Sequence, residues 1–225
     1  MHLLALDTAL DRCSVALRAP DGTVTALSEP MSRGHAERLT PMIADLLGKS
    51  GLGFSAIGRL VVTTGPGSFT GVRVALSTAR GLAMALAVPA VGIGTLVALA
   101  AAARARHPGR PVDSVIATRD DMVIVQGFGA DGRPRDPLPL LCPADARARA
   151  LADDTVLTGP GAARLAEARA AAGRSALAID PGTGVDPAVL AALGAAASAG
   201  GAPPEPVYVR PPDAKISTRP GLVRA

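Results

Sequence analysis

Aromatic residues are scarce in this 225-residue sequence, which contains three Phe, one Tyr and no Trp. Surfaces that bind RNA typically combine stacking aromatic side chains with clustered Lys and Arg. The net charge here is +4, but the basic residues are scattered and no run of five like charges occurs. We therefore do not expect the chain to bind RNA on its own, although its basic side chains could supply a supporting edge.

Cysteine is equally sparse, and the two residues present, Cys13 and Cys142, follow no C-x-x-C spacing. This pattern predicts two reduced thiols in a cytosolic protein. The N-terminus also lacks a basic region followed by a long apolar one, because Asp7 and Asp11 interrupt it. No secretory signal is predicted, and a cytoplasmic location is expected.

One long uncharged run, residues 81–103, has the length of a membrane span. It is dominated by Ala, however, and carries Pro89, Gly92 and Gly94 in its middle. These breakers favour a helix, a short buried strand over 90–93 and a second helix from Thr95, rather than one membrane-spanning helix.

Hydrophobic residues make up 48% of the sequence, enough for a real core in one or two domains. Three strands are predicted before any helix, over residues 2–8, 13–19 and 23–27, which indicates an antiparallel start to the sheet. The segment 107–111, His-Pro-Gly-Arg-Pro, is typical of a linker. We therefore predict an N-terminal lobe over 1–106 and a smaller, divergent C-terminal lobe over 107–225, with a mobile tail from about residue 211.

The stretch 60–86 organises the first lobe: an apolar strand, a break at Gly65-Pro66-Gly67, and a helix from Gly71. Backbone N–H groups at such a strand–loop–helix junction can hold an anion. The loop nevertheless lacks the Lys of a Walker loop, the spacing of a dinucleotide fingerprint and the G-x-S-x-G of a nucleophile elbow. Its residues leave two interpretations open, a packing turn and a ligand contact.

Four segments together resemble the TsaB (YeaZ) family, the non-catalytic partner of the bacterial transferase that makes threonylcarbamoyl-adenosine at position 37 of tRNAs. They are GPGSFTGVR at 65–73, LLALDTALDRCSVAL at 3–17, the H-x3-L-x-P of 35–41, and the P-x-Y-V-R of 206–210. The resemblance is dense over 1–100, thin over 101–200, and returns at 203–213. It implies an α/β fold of the two-lobed acetate/sugar kinase–Hsp70–actin (ribonuclease H-like) class, with mixed sheets flanked by helices.

The resemblance also implies a partner interface on two helices, predicted over 35–48 and 71–86. In the family this pair packs against the equivalent pair of the catalytic partner, or of another copy of itself. The residues that match are His35, Leu39, Met42, Ile43, Leu46, Gly67, Ser68, Phe69, Thr70, Arg73, Leu76, Ser77 and Arg80. Pro41 lies inside the first helical pattern and is expected to kink the helix or to start it with Thr40 as the cap.

Metal and cofactor sites are not expected. Catalytic relatives in the superfamily bind a metal through H-x-x-x-H, but here Leu39 stands where the second His would be. The phosphate loop of the fold reads D-x-G-[ST], whereas this chain has Asp7-Thr8-Ala9. Asp7, with Gly159 and Gly161 of a second phosphate-type loop, remains a weak candidate for ATP. The family motif D-A-R-x-x-E-x-Y survives at 117–124 only as Arg119.

The sequence therefore predicts a scaffold without catalytic residues of its own. It would dock on a TsaD-like transferase subunit and a TsaE-like P-loop ATPase, and would meet tRNA only within that complex. One alternative is an ATP-dependent phosphotransferase of the same fold, which would use Asp7 and the loop 159–161. A glycoprotease-like peptidase is the weaker alternative, because neither metal ligands nor a nucleophile motif is present.

Overall fold

Two five-stranded mixed sheets and six α-helices make up the part of the chain that the computed structural model describes, residues 1–198 and 200–209. The first sheet and its helices are β1 (His2–Asp7), β2 (Arg12–Arg18), β3 (Val24–Pro30), α1 (His35–Lys49), β4 (Ile57–Thr63), α2 (Phe69–Leu86), β5 (Ala90–Ile93) and α3 (Thr95–Arg106). The remaining elements are β6 (Val112–Ala117), β7 (Met122–Phe128), β8 (Leu140–Pro143), α4 (Ala144–Ala150), β9 (Val156–Thr158), α5 (Ala162–Ala171), β10 (Ala178–Ile179) and α6 (Pro187–Ala196).

The two sheets share one topology. The strand orders are β3-β2-β1-β4-β5 and β10-β9-β6-β7-β8. In each, three sequential antiparallel strands are followed by two parallel ones. A repeated unit of this kind confirms the predicted two-lobed α/β fold class.

The helices form three layers around the two sheets. Helices α1 and α2 cover one face of the first sheet, and the apolar cluster there includes Leu4, Leu60 and Met42. Helices α3 and α6 lie between the sheets, where Leu99 and Leu190 share a cluster with Val61. Helices α4 and α5 cover the outer face of the second sheet. The order is therefore helix, sheet, helix, sheet, helix.

The long uncharged run 81–103 comprises the end of α2, the strand β5 and most of α3. Most of its residues are buried, because it packs on β6, β7, β9 and α6 as well as on the first sheet. A helix enclosed on all sides is apolar around its whole circumference. Among the described residues, no helix is both long enough and apolar enough to cross a membrane.

Helix α6 lies in the second half of the sequence but packs on the first sheet. The Asp186 carboxylate accepts hydrogen bonds from the amides of Ala188 and Val189, which caps the helix ahead of Pro187. The helix contacts all five strands of the first sheet, although residues 107–225 were assigned to the second lobe. It ends at Ala196. The lobe boundary near residue 107 stays a prediction.

Helix α1 does not start at Pro41, so the alternative with Thr40 as the cap is wrong. It begins at His35, after Gly34 in the left-handed region, and continues through Pro41 to Lys49. Packing decides this outcome, because the buried stripe containing Leu39 and Met42 holds both halves of the helix on the same sheet. The proline ring is exposed to solvent.

Gly194 of α6 gives a direct test of the central layer. Gly to Ala in a helix ordinarily stabilises by up to about 1 kcal/mol, but a Cβ here would collide with the side chain of Val61. We expect Gly194→Ala to lower the free energy of unfolding by about 1–3 kcal/mol, measured by urea denaturation.

The matched control is Gly48→Ala in α1, where a Cβ meets no atom within 4 Å. That variant should be neutral or slightly stabilising. Adding Val61→Ala to Gly194→Ala should remove part of the steric cost. Equal midpoints for the two glycine variants would contradict the close approach of α6 to the sheet.

Candidate partner interface

The loop before α2 is a packing turn held by the turn after β1. The amide of Ser68 donates to the carbonyl of Ala9 at 2.7 Å, and the Thr8 hydroxyl donates to the carbonyl of Gly71 at 2.6 Å. The Ser68 hydroxyl accepts the Gly71 amide and so caps the helix. A side chain at Gly67 or Gly71 would collide with the carbonyls of Ala9 or Thr8. The carbonyl of Ala9 therefore accepts the hydrogen bond from the Ser68 N–H, which an anion bound at this loop would need as a donor.

Asp7 is fully buried and is hydrogen-bonded to its own hairpin and to the end of β4. Its Oδ1 accepts the amide of Ala9 at 3.1 Å and the hydroxyl of Thr63 at 2.6 Å. Burial raises the pKa of Asp7 from 3.8 to about 6, against the lowering effect of those two hydrogen bonds. Its Oδ2 is buried without a hydrogen-bond partner among the described residues. The carboxylate thus points into the protein.

The second phosphate-type loop is also occupied by backbone. The Gly159 amide donates to the carbonyl of Gly182 at 3.0 Å, and the Gly161 amide donates to the carbonyl of Val115 at 2.9 Å. Side chains at either glycine would collide with the backbone of β6. Close packing of the loop on β6 therefore accounts for both glycines.

The structure does not bring the three ATP candidates together around a cavity. A cleft of about 640 Å³ between the lobes has Arg12, Ser68, Arg119 and Pro160 in its lining. Neither Asp7 nor the two loop glycines line it. Among the described residues, no group of three or more His, Cys, Asp or Glu side chains could hold a metal ion.

Six of the thirteen predicted interface residues are buried and belong to the core of the first lobe. They are His35, Leu39, Met42, Ile43, Leu46 and Leu76. The prediction of partner contact is corrected for these six, because the apolar stripe of α1 and the matching side of α2 pack on the sheet. A charge placed at Leu39 or Leu76 would therefore test the core and not the interface.

The other seven predicted residues are exposed on α2 and its preceding loop. They are Gly67, Ser68, Phe69, Thr70, Arg73, Ser77 and Arg80. Met84 extends the same face by one turn and is 84% exposed, while Phe69 is 57% exposed. Their contact with a partner stays a prediction, and the structure leaves this face of α2 open to solvent.

Helix α1 adds a second exposed face that the sequence prediction missed. Ala36, Thr40, Ala44 and Gly48 follow one another at four-residue steps and are all exposed. Ala36 shares a shallow groove with Phe69, Arg73 and Ser77 of α2. The small side chains were visible in the sequence, but the apolar stripe of the same helix is the stronger signal and was taken for the contact surface.

Tyr208 also lies on this surface and was not predicted. The Arg73 guanidinium carbon lies 3.7 Å from the centroid of the Phe69 ring, and Arg73 Nε donates to the Tyr208 hydroxyl at 2.9 Å. The two aromatic rings lie 5.7 Å apart, centroid to centroid. Arg210, which completes the P-x-Y-V-R segment, and the tail from residue 211 lie outside the described residues.

These observations define a two-lobed protein of the acetate/sugar kinase–Hsp70–actin class, with backbone-filled phosphate-type loops and an open outer helix pair. A crystal structure of a Pseudomonas aeruginosa protein, described as similar to peptidase YeaZ, superposes with a TM-score of 0.76 at 30% identity, over 93% of this chain and 99% of that one. YeaZ from the same organism gives 0.73 at 30% identity, over 86% and 90%. The chain belongs to the TsaB (YeaZ) family.

Curated relatives match over about half of the sequence. The tRNA threonylcarbamoyladenosine biosynthesis protein TsaB of Escherichia coli is 42% identical over 119 residues, 53% of this chain and 51% of that protein. TsaB of Haemophilus influenzae is 44% identical over 119 residues, 53% and 50%. The matches thus span about half the length of these relatives. Residues 27–136 match the model of a related family, described as TsaD, tRNA N6-adenosine threonylcarbamoyltransferase.

The buried Asp7 predicts an unusual dependence of stability on pH. Because its folded pKa of about 6 exceeds its ordinary 3.8, its stabilising contribution is full below about pH 4 and is lost as pH rises through 6. Ionisation of the buried carboxyl therefore lowers the free energy of unfolding by about 3 kcal/mol. Asp7→Asn should therefore be more stable than the parent at about pH 7.5 and lose that advantage near pH 4, in urea midpoints.

Asp21→Asn is a control of opposite sign. Asp21 also caps a turn, by accepting the amide of Thr23, but it is exposed and that hydrogen bond lowers its pKa. The contribution of Asp21 to the free energy of unfolding is therefore present at neutral pH and is lost on acidification. If the stability of both variants relative to the parent changed with pH in the same direction, Asp7 would not be a buried carboxyl with a raised pKa.

Proposed function

We propose that this chain is a non-catalytic subunit that supports threonylcarbamoyl transfer to adenosine 37 of tRNA by a separate transferase subunit. It docks on that subunit through the outer surface of α1 and α2. The observation that carries the proposal is the open face of α2, where Phe69, Arg73, Ser77 and Met84 are exposed in helical register. A surface with large apolar side chains and arginines has the composition of a protein contact.

The match to the transferase family supports this choice of partner. The matching segment, residues 27–136, contains both α1 and α2. A transferase subunit of that family therefore carries a corresponding helix pair. Two related helix layers can pack face to face about a pseudo-twofold axis, as the two halves of an isologous interface do. A second copy of this chain could occupy the same surface by the same geometry when the transferase is absent.

The reaction itself is assigned to the partner. Asp7 is turned into the protein, and amides of both phosphate-type loops donate to the chain's own carbonyls. We assign this chain no catalytic residue, and we expect a P-loop ATPase subunit and the tRNA to join at the assembled complex. ATP hydrolysis by the isolated chain that Asp7→Asn abolishes would instead support the phosphotransferase alternative.

Ser77→Glu tests the docking surface without disturbing the core. Ser77 is exposed in the middle of α2 and lines the groove shared with α1. Burying a carboxylate in place of a small hydroxyl within the contact is costly, and the carboxylate would compete with acidic partner side chains for Arg73 and Arg80. We therefore expect at least a tenfold loss of affinity for the transferase subunit of the same genome. The measurements are isothermal titration calorimetry and tRNA modification in the reconstituted complex.

The control is Ser55→Glu, at an exposed serine in the short 3-10 helix Phe54–Ala56. Both variants should keep the parental urea midpoint. Unchanged affinity for Ser77→Glu would remove the outer face of α2 from the interface, and with it the proposed mode of support.

A further inference from the structure

The end of the described chain returns to the first lobe as a strap, which we define as residues 203–208. The Arg80 guanidinium, on α2, donates to the carbonyl of Pro204 through Nε at 2.9 Å and Nη2 at 2.6 Å. The amide of Val207 donates to the carbonyl of Thr64 at 2.8 Å. The strap is thus fixed by hydrogen bonds to α2 and to the loop that precedes it.

The first lobe is shaped to receive the strap. A Cβ at Gly92, inside β5, would lie 2.9 Å from the Cβ of Pro204, and Pro204 is buried. A Cβ at Gly65 would lie 3.2 Å from the carbonyl of Val207. A Cβ at Gly92 would also lie 2.5 Å from Cγ2 of Thr64, so the glycine leaves room for Thr64 and for the buried Pro204 of the strap. The strap is therefore an integral part of this lobe.

The strap places Tyr208 beside α2 and completes what we call the aromatic clamp, residues Phe69, Arg73 and Tyr208. Arg73 stacks on Phe69 and bonds the hydroxyl of Tyr208, yet Phe69 and Tyr208 stay 57% and 48% exposed. The chain has only four Phe and Tyr residues in total. Two of them therefore lie together at the surface, around one arginine.

We propose that the aromatic clamp is the affinity hot spot of the surface that docks on the transferase subunit. This inference rests on the proposed function and adds a residue from the opposite end of the chain to that surface. Tyr and Arg dominate interface hot spots. An arginine already held between two rings also loses less side-chain entropy on binding than a free one.

The charges on α1 and α2 fit an occupant of related construction, and the match of residues 27–136 to the transferase family points to the transferase subunit as that occupant. Helix α2 carries Arg73 and Arg80 but no Asp or Glu, whereas exposed Glu37 and Asp45 lie on α1. A partner layer of related construction, packed about a pseudo-twofold axis, sets its α1 counterpart against this α2. Acidic side chains there would meet the two arginines.

The chain itself supplies a specific probe, because Tyr208 is its single tyrosine. Full-length protein produced with 3-fluorotyrosine gives one 19F resonance, and the unlabelled transferase subunit is silent. We expect the resonance to shift or broaden to saturation as that subunit is added. Arg73→Lys should move the resonance in the free chain, because lysine keeps the charge but cannot hold both rings.

Affinities measured by calorimetry give the second readout. Tyr208→Ala should weaken binding by about tenfold or more, and Tyr208→Phe, which loses only the hydroxyl acceptor, by about two- to fivefold. Phe54→Ala is the matched control, since Phe54 is an exposed aromatic outside the clamp, and it should leave the affinity unchanged. If Tyr208→Ala lowers the urea midpoint, a loss of affinity in that variant reports on stability as well as on contact. The affinity of Tyr208→Phe and the 19F titration then test the clamp.

The outcomes separate this inference from the proposed function. If Ser77→Glu weakens binding while the 19F resonance and the Tyr208 variants do not respond, the clamp is not the hot spot and the docking surface stands. If neither the affinity of Ser77→Glu nor the Tyr208 measurements change, both this inference and the proposed function fail. A resonance that moves with the chain's own concentration but not with the transferase subunit would identify a second copy as the occupant and overturn the inference.

Discussion

The arrangement depends on a helical layer that two sheets share. Helices α3 and α6 are covered on both sides, so their buried side chains have to be apolar. Where a helix approaches the sheet most closely, only glycine fits. Gly194 lies directly on Val61, and Arg59 donates to the carbonyls of Gly194 and Ala197 at the end of α6. This layer fixes both sheets and leaves α1 and α2 as an outer layer, covered by the described chain on one side only.

That outer layer is held rigidly although half of it faces solvent. The turn after β1 binds the loop before α2 through the Ser68 amide and the Thr8 hydroxyl, and Gly67 and Gly71 allow that close approach. At the other end of the chain the strap binds Arg80 and Arg73. A surface ordered before binding loses little entropy on association, which suits the docking role that we propose for α1 and α2.

The same contacts fill the loop that follows β1 with the chain's own hydrogen bonds. Ala9 replaces the glycine of a phosphate loop, and its carbonyl takes the Ser68 amide at the start of α2. The Asp7 carboxyl turns inward, where burial raises its pKa to about 6. Stabilising hydrogen bonds within the chain occupy groups that in a phosphate site would be left for the ligand.

Local patterns in the sequence determined much of this protein: the β1–β3 order, the start of a helix at Thr95, and the break at Gly65-Pro66-Gly67. Each depends on residues close together in the chain, where periodicity and capping chemistry act. Only the tertiary structure decided that Leu39 and Leu76 are core, because an apolar stripe looks the same whether a sheet or a partner covers it. It likewise decided that α6 packs on the first sheet and that Tyr208 meets Arg73, since contacts between residues 135 positions apart leave no local signal.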